Sequence, residues 1–286
     1  MSKLRTYLND HHYPALLWRR PRLLRAVHRL TAAVTLRSWH VHPELRRLAR
    51  TLPPRFAWMD AGCGAGEFLI PLAHAHHDAT FVGIDRSESN VAMGQAYAAA
   101  AKRPNLAYRA EALEVLPDAD VFDAVSCIGV LQYTEGQAAV VGRLARSLRP
   151  GGVLALYVPV HEHRVLPFFR RWMRSYFGGL DYNEGQGQHG RFTPLSTRAL
   201  VQQAGLTVER QRQTYDFFGK LNYETYTLWL HATQRSPVGL QPLLIALGVV
   251  LYPLWFTLML ADVTLPIRRG NGLLLIARKP PVPSGA

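Results

Sequence analysis

The stretch Asp60-Ala-Gly-Cys-Gly-Ala-Gly66 directly follows a short apolar run. Its three glycines, Gly62, Gly64 and Gly66, allow a tight turn and let the backbone approach a ligand at the start of a helix. The next apolar run, Phe81-Val-Gly-Ile-Asp85, ends about 20 positions later in a carboxylate that can bind both hydroxyls of a ribose. Together the two features predict a nucleoside site, without saying which nucleoside.

The spacing of the glycines argues against one class of nucleoside ligand. A dinucleotide fingerprint needs its third glycine at position 67, and that residue is Glu67. The loop is therefore G-x-G-x-G rather than G-x-G-x-x-G, a spacing that points away from NAD.

Short apolar runs alternate with helical stretches on both sides of this loop, which is typical of a doubly wound α/β fold with a mostly parallel sheet. The predicted helices are Gly66–His76, Glu88–Ala101, Gly136–Leu148 and Ser196–Ala204. The seven predicted strands are Ala57–Asp60, Thr80–Asp85, Leu106–Arg109, Ala124–Cys127, Val153–Val158, Thr207–Thr214 and Leu273–Ala277.

Two regions lie outside this alternation. Residues 14–50 have apolar side chains at helical spacing with arginines between them, and they predict two or three basic helices. Ser236 to Ala261 is a run of 26 residues without a charge. We therefore expect an N-terminal helical extension over 1–54, a core over 55–216 and 271–280, and an apolar helical insertion over 217–270.

The ordered motifs resemble those of class I S-adenosylmethionine-dependent methyltransferases, especially the ubiquinone-type and other small-molecule enzymes, over about residues 56–160 and again near 191–215. The resemblance implies a Rossmann-like methyltransferase fold with S-adenosylmethionine as cofactor. The segments that carry it are Trp58-Met-Asp-Ala-Gly-Cys-Gly-Ala-Gly-Glu-Phe68, Gly83-Ile-Asp85, Ala110-Glu-Ala112, Phe122-Asp-Ala-Val-Ser-Cys-Ile-Gly-Val-Leu-Gln-Tyr133, Leu148-Arg-Pro-Gly-Gly152, Arg191-Phe-Thr-Pro194 and Gln203-Ala-Gly-Leu-Thr-Val208.

The same resemblance implies which residues bind the cofactor. Asp60 and the loop glycines would hold its methionine part, Asp85 its ribose, and Glu111 with Ala112 its adenine. Glu111 stands where the family more often has Asp. The full predicted set is Asp60, Ala61, Gly62, Cys63, Gly64, Gly66, Asp85, Arg86, Glu111, Ala112, Cys127 and Gln132.

No general base is evident from the sequence. Tyr133 and His161 follow the fourth and fifth strands at the carboxyl edge of the sheet and are the candidate catalytic residues, although each could equally be a wall or surface residue. A Gly-rich loop, Gly178 to Gly190, could close over the site or be a plain connector. Ser-Cys-Ile-Gly at 126–129 replaces the Asn/Asp-Pro-Pro-aromatic motif of amino-group methylators of adenine and glutamine, and we expect no metal.

Charge and apolar content together suggest a location. The chain carries a net charge of +13, of which the first 50 residues contribute 11 basic and 2 acidic side chains. Basic residues gain roughly 1 kcal/mol each near an anionic leaflet, and the uncharged run exceeds the roughly 20 residues that cross a bilayer as a helix. Leu273–Ala277 must nevertheless return to the sheet, so one crossing does not fit the fold. We expect a helical element that dips into one leaflet, broken at Pro242 and Pro253, or one that packs on the core.

These observations give an expected function and two alternatives. The expectation is a cytoplasmic methyltransferase, peripheral on the inner membrane face, that acts on a hydrophobic lipid, isoprenoid or polyketide-type acceptor. The N-terminus has no secretory signal, and two cysteines are too few for a disulfide framework. Nucleic acid is disfavoured as a partner, and the oligomeric state stays open. The alternatives are an enzyme for a soluble metabolite or RNA with the insertion packed on the core, and a non-catalytic scaffold of the same fold.

Overall fold

The computed structural model of the protein describes residues 20–116, 120–160, 164–176, 188–266 and 269–281. In these ranges the strands are β1 Ala57–Ala61, β2 Thr80–Asp85, β3 Leu106–Ala110, β4 Phe122–Ile128, β5 Leu148–Pro159, β6 Thr207–Thr214 and β7 Gly272–Arg278. The α-helices are α1 Pro21–Val34, α2 Leu36–Ala49, α3 Leu69–Ala75, α4 Glu88–Ala100, α5 Gln137–Ser147, α6 Phe169–Tyr176, α7 Pro194–Gln203, α8 Phe217–Arg235 and α9 Gln241–Thr264. Each of the seven predicted strands is present.

The strands form one sheet in the order β3-β2-β1-β4-β5-β7-β6. The five strands from β3 to β5 are parallel, and β7 pairs antiparallel with both β5 and β6. The strand order reverses at β1: β2 and β3 lie on one side of it, and β4 and β5 lie on the other. The crevice beyond the carboxyl ends of β1 and β4 is therefore the expected ligand site of such a fold. The predicted doubly wound, mostly parallel α/β fold is confirmed.

The N-terminal helices α1 and α2 pack against the sheet. Leu24 of α1 and Val41 and Leu45 of α2 are fully buried in the same apolar cluster as Trp58 of β1 and Leu69 of α3. This burial explains the apolar residues at helical spacing among the arginines. It also carries α2 over the loop that follows β1.

The apolar segment near the C-terminus forms the second helix of a hairpin with α8. Trp229 of α8 lies so close to Gly248 of α9 that a Cβ there would come within 2.2 Å of the indole ring, and its Nε1 donates to the carbonyl of Leu244 at 2.7 Å. Asn222 donates to the carbonyl of Trp255 at 3.1 Å. The expected break at Pro253 is wrong: α9 runs through it, held to α8 on both sides of the proline.

One acidic side chain anchors α9 to the rest of the fold. The buried Asp262 accepts hydrogen bonds from the backbone N–H groups of Tyr215 (3.1 Å), Asp216 (2.8 Å) and Gly219 (3.0 Å). Its Oδ2 also lies 2.9 Å from Nε2 of His40 in α2. Asp262 therefore caps the start of α8 and joins both helices of the hairpin to α2.

Candidate functional site

The loop after β1 is shaped by glycines in left-handed conformations. Gly62 and Gly66 have φ of +76° and +84°, and an added Cβ would come within 2.4 Å of Val130 and of the Tyr108 hydroxyl, respectively. Gly64, with φ of +52°, has no neighbour within 4 Å of such a Cβ. Two of the three glycines are thus required by packing inside the protein, whereas Gly64 borders open space that a ligand can enter.

Asp60 ends its strand in a buried position beneath this loop. Its Oδ1 accepts a hydrogen bond from the Ser126 hydroxyl at 2.6 Å, and that hydroxyl oxygen accepts one from Nε1 of Trp58 at 2.9 Å. Burial raises the pKa of Asp60 to about 7, the Ser126 bond opposes the shift, and the charges of Asp85 and Glu67 add to it. A positively charged ligand group beside Asp60 would favour the ionised carboxylate.

Asp85 lies on the other side of the loop, at the end of β2. Its carboxylate accepts from the backbone N–H of Gly64 at 2.8 Å and of Ser87 at 2.9 Å. The N–H of Glu111 donates to the Asp85 carbonyl at 3.0 Å, and Glu111 and Ala112 are both half-buried. The residues proposed for ribose and adenine are therefore adjacent, while the neighbouring Arg86 is exposed.

Gln132 closes the site beyond β4. Its side-chain Nε2 donates to the carbonyl of Gly129 at 2.8 Å, and its backbone carbonyl accepts from the N–H groups of His189 (2.7 Å) and Gly190 (3.1 Å). Its Oε1 is buried and has no hydrogen-bond partner among the described residues. Buried polar atoms without partners are rare in folded proteins, so this oxygen is available for a ligand donor.

Neither cysteine at the site is suited to nucleophilic catalysis. Burial raises the pKa of the Cys63 thiol well above its ordinary value, and the charges of Asp60 and Asp85 add to the shift. Burial likewise raises the pKa of Cys127 to about 12. Both thiols remain protonated at neutral pH, although a helix N-terminus favours the thiolate in other settings.

A cavity of about 690 Å³ opens next to the loop, at the carboxyl ends of β4 and β5. The predicted residues Gln132 and Tyr133 line it, whereas His161 lies outside the described residues. Tyr182 and Glu184 of the Gly-rich loop lie outside them as well. Residues that sequence reasoning missed form much of the wall: Arg37, Tyr157, Arg164, Arg170, Arg174, Arg191, Tyr215, Lys220 and Glu224.

Two of the missed wall residues are tyrosines, of which Tyr157 is buried and Tyr215 is half-buried. The Tyr157 hydroxyl lies 3.2 Å from Oγ1 of Thr214. Burial raises its pKa to about 12 despite the Thr214 bond. Burial also raises the pKa of Tyr215, whose backbone is held at φ of +60° beside Asp262. Both hydroxyls therefore stay protonated at neutral pH.

Glu67, which breaks the dinucleotide pattern, links the loop to α2. Its carboxylate accepts from Arg37 at 3.1 Å and from the Ser38 hydroxyl at 2.5 Å. Burial alone would raise the pKa of Glu67, but these two partners outweigh it, and the pKa lies below its ordinary value. The residue at position 67 therefore serves to seat Arg37 at the boundary between loop and cavity.

The geometry of this site fits a nucleoside joined to an amino acid. Open space at Gly64, a carboxylate at each side of the loop, and the unpartnered oxygen of Gln132 provide complementary groups along one crevice. Among the described residues, no group of three or more His, Cys, Asp or Glu side chains could hold a metal ion.

Comparison with known proteins bears on the loop after β1 and the residues around it. Residues 59–154 match the methyltransferase domain family. Over 130 residues the chain is 32% identical to the ubiquinone biosynthesis O-methyltransferase of Paracidovorax citrulli, covering 41% of this chain and 54% of that relative. In this stretch the chain is similar to methyltransferases, as its ordered motifs predict.

Solved structures extend the similarity of fold beyond this domain. Phosphoethanolamine N-methyltransferase 2 of Haemonchus contortus, in complex with S-adenosyl-L-methionine, superposes with a TM-score of 0.59 at 15% identity, over 98% of this chain and 60% of that one. The [4+2]-cyclase SpnF superposes with a TM-score of 0.53 at 18% identity, over 84% and 81% of the two chains. Since a cyclase shares the fold, the fold alone does not specify the reaction.

The matched stretch covers one half of the site. It includes the loop, Asp85, Glu111 and Gln132, but most residues that line the cavity, from Tyr157 onwards together with Arg37, lie outside 59–154. The chain spans about half the length of the curated relatives it matches. The relatives therefore inform the cofactor half, and the acceptor must be argued from this chain's own residues.

Proposed function

We propose that the protein is an S-adenosylmethionine-dependent methyltransferase that acts on a hydrophobic small molecule at a membrane surface. The observation that carries the proposal is a cavity of about 690 Å³ whose wall joins Gln132 and Tyr133, which lie within the matched methyltransferase stretch, to residues of α6 and α8. The same α8 carries the apolar helix α9. The acceptor class is a lipid, an isoprenoid or a polyketide-type product.

When bound, the cofactor would supply a methyl group on a sulfonium; the acceptor would bond to the methyl carbon in line as the carbon–sulfur bond breaks and the neutral thioether leaves. The residues of this chain have to bind the cofactor and the acceptor, orient them and exclude water. Asp60 and the loop backbone fix the methionine end, and Asp85 fixes the ribose. Gln132 lies between this crevice and the cavity, so it is placed to align the two ligands.

Proton removal from the acceptor falls to a group other than Tyr157 and Tyr215. Tyr157 and Tyr215 hold their protons at neutral pH, so they act as hydrogen-bond donors that orient an acceptor oxygen. Tyr133 is the described wall residue closest in sequence to Gln132, and it keeps its proposed role beside the reacting atoms. His161 remains a second candidate for the base.

Membrane contact is supported by the exposed face of α9. In the described part of the chain, α9 is the one helix that is both long enough and apolar enough to span a bilayer. Since β7 lies between β5 and β6, the chain must return to the sheet after α9, so the proposal is a helix lying in the interface. Its exposed side chains are Leu243, Ile245, Leu247, Val249, Val250, Leu254, Phe256 and Leu260. At 1.5–3 kcal/mol for complete burial of each, burying their exposed halves gains roughly 6–12 kcal/mol.

The first experiment tests methyl transfer. The pure protein is incubated with methyl-labelled S-adenosylmethionine and a total cell extract, and the products are partitioned between organic and aqueous phases. We expect label in the organic phase. The variant Asp85→Ala should lose both this labelling and its affinity for the cofactor. Asp78→Ala is the matched control, because this exposed acid precedes β2 and lies at the opposite edge of the sheet. Label confined to the aqueous phase would favour a soluble acceptor. If no label were transferred, the result would favour a non-catalytic scaffold of the same fold.

The second experiment tests membrane contact by flotation with phosphatidylcholine vesicles containing phosphatidylglycerol. Val249 and Val250 are 70% and 73% exposed on α9, so V249D/V250D should fold normally and lose vesicle binding. Val115, 64% exposed on the core domain, provides the control V115D. Equal flotation of both variants would remove α9 from the proposal.

A further inference from the structure

The cavity wall has an excess of positive charge. Six of its lining residues are basic: Arg37, Arg164, Arg170, Arg174, Arg191 and Lys220. The only acidic lining residue in the described part of the chain is Glu224. Both of its oxygens accept backbone N–H bonds, from Val165 at 3.0 Å and Leu166 at 2.7 Å. Glu224 is therefore engaged in fixing the segment after β5.

The basic side chains belong to segments that are held in place. Arg170 and Arg174 are four residues apart, hence on one side of α6. That helix is anchored by the fully buried Phe169 and Met173. The guanidinium of Arg164 lies 4.8 Å from the centre of the Phe169 ring.

The remaining basic residues come from other elements of the wall. Arg191 immediately precedes the buried Phe192 and the Thr193 cap of α7. Lys220 projects from α8 and lies 3.8 Å from Asp216. Arg37 reaches the same cavity from α2. Five separate segments of the chain thus bring cations to one cavity.

We infer that the cavity recognises an anionic group, a phosphate or a carboxylate, on an acceptor whose remaining part is apolar. This inference rests on the proposed function and specifies its substrate class. A guanidinium has five N–H donors in a planar fork that matches both anions, so contacts already made leave donors for a ligand. A cationic amine acceptor would be repelled by this wall and by the cofactor's own sulfonium. An uncharged acceptor would make weaker hydrogen bonds with these guanidinium groups than a carboxylate or a phosphate does.

The apolar part of the acceptor has a route at the same place. The apolar side chains of Phe169, Met173 and Tyr223 line the cavity beside the basic residues, and α6 packs on α8, which carries α9. An amphiphile with its tail toward these apolar surfaces would present its anionic head to Arg170 and Arg174. Such an orientation brings the head group, rather than the tail, toward the cofactor loop.

Binding of short amphiphiles tests the charge preference directly. Octyl phosphate, octanoate and octyl glucoside, each below its micelle concentration, are titrated into the protein saturated with S-adenosylhomocysteine and followed by calorimetry. At least one anionic probe should bind tenfold or more tightly than octyl glucoside, and added salt should weaken it. The two anionic probes distinguish phosphate from carboxylate recognition. Equal affinity for anionic and uncharged probes would overturn the inference.

Variants of α6 locate the effect. The double variant R170Q/R174Q removes two cavity cations and should abolish the preference for the anionic probe while leaving affinity for S-adenosylmethionine unchanged. R171Q is the matched control, because Arg171 is exposed on the same helix and does not line the cavity. If R171Q weakened anion binding as much as the double variant, binding would reflect overall surface charge, and the cavity site would be wrong.

Fractionation of labelled products separates this inference from the proposed function. Organic-phase products are passed over an anion-exchange column, and label should be retained with the acidic fraction. Label only in the neutral fraction would overturn the anionic acceptor while leaving the membrane methyltransferase intact. Anion-selective binding without any methyl transfer would instead overturn the enzymatic proposal and keep the specificity of the cavity.

Discussion

Replacing Asp60 by asparagine should change how the stability of the ligand-free protein depends on pH. The folded-state pKa of about 7 lies well above the ordinary value of 3.8, because the carboxyl is buried. A group with a raised carboxyl pKa holds its proton more tightly in the folded state. Its stabilising contribution is therefore complete below about pH 4 and is lost as pH rises toward 7. At 1.36 kcal/mol for each pKa unit, the loss amounts to about 4 kcal/mol over the full range.

Chemical denaturation at several pH values measures this effect. Between pH 5 and pH 7.5, the unfolding free energy of the native protein should fall by about 3 kcal/mol relative to D60N. The control is D78N, whose exposed carboxyl should leave the native pH profile unchanged. Parallel profiles for the native protein and D60N would refute the reasoning, because they would place the Asp60 pKa near its unfolded value. S-adenosylmethionine should flatten the native profile by favouring the ionised form.

Two further predictions concern anchoring and the loop. Asp262→Ala leaves three backbone donors without an acceptor and should cost about 4 kcal/mol, a fall in Tm of roughly 10 °C, whereas the exposed Thr264→Ala should change little. An unchanged melting temperature for D262A would refute the anchoring role. Gly66→Ala forces a side chain into Tyr108 at an unfavourable φ and should destabilise the fold by about 2–4 kcal/mol. Gly64→Ala meets no protein atom, so it should cost about 1 kcal/mol of stability and mainly weaken cofactor binding, as calorimetry would show.

The elements of the core could be predicted because their signals are local. A buried parallel strand is a short apolar run, and the left-handed turns at Gly62 and Gly66 require glycine whatever lies elsewhere in the chain. Helix ends were less well predicted: α3 begins at Leu69 rather than at Gly66, since the loop itself occupies the intervening residues. The break predicted at Pro253 was wrong because a proline within a helix usually interrupts it, whereas here the contacts of α9 with α8 keep the helix continuous.

The acceptor half could not be predicted because it depends on pairs that are distant in sequence. His40 and Asp262 are 222 residues apart, and no periodic pattern connects them. A signal for Asp262 does exist, since it is the first charged residue after 26 uncharged ones, and a lone acid ending an apolar helix invites a search for buried donors. Arg37 had no comparable signal among the many arginines of the N-terminal region.

The bonds around Asp262 make the acceptor wall dependent on α9. Tyr215 lines the cavity in a left-handed conformation that costs a non-glycine residue about 1–3 kcal/mol, and such strain persists only where surrounding contacts enforce it. Here the enforcing contact is the hydrogen bond from its N–H to Asp262, on the helix whose other face is apolar and exposed. The cavity is therefore complete only when α9 is docked on α2 and α8. If α9 lies in a bilayer as proposed, the lipid covers its exposed apolar face while Asp262 holds the opposite face against α2 and α8. The proposed membrane contact would then stabilise the wall that meets the proposed acceptor.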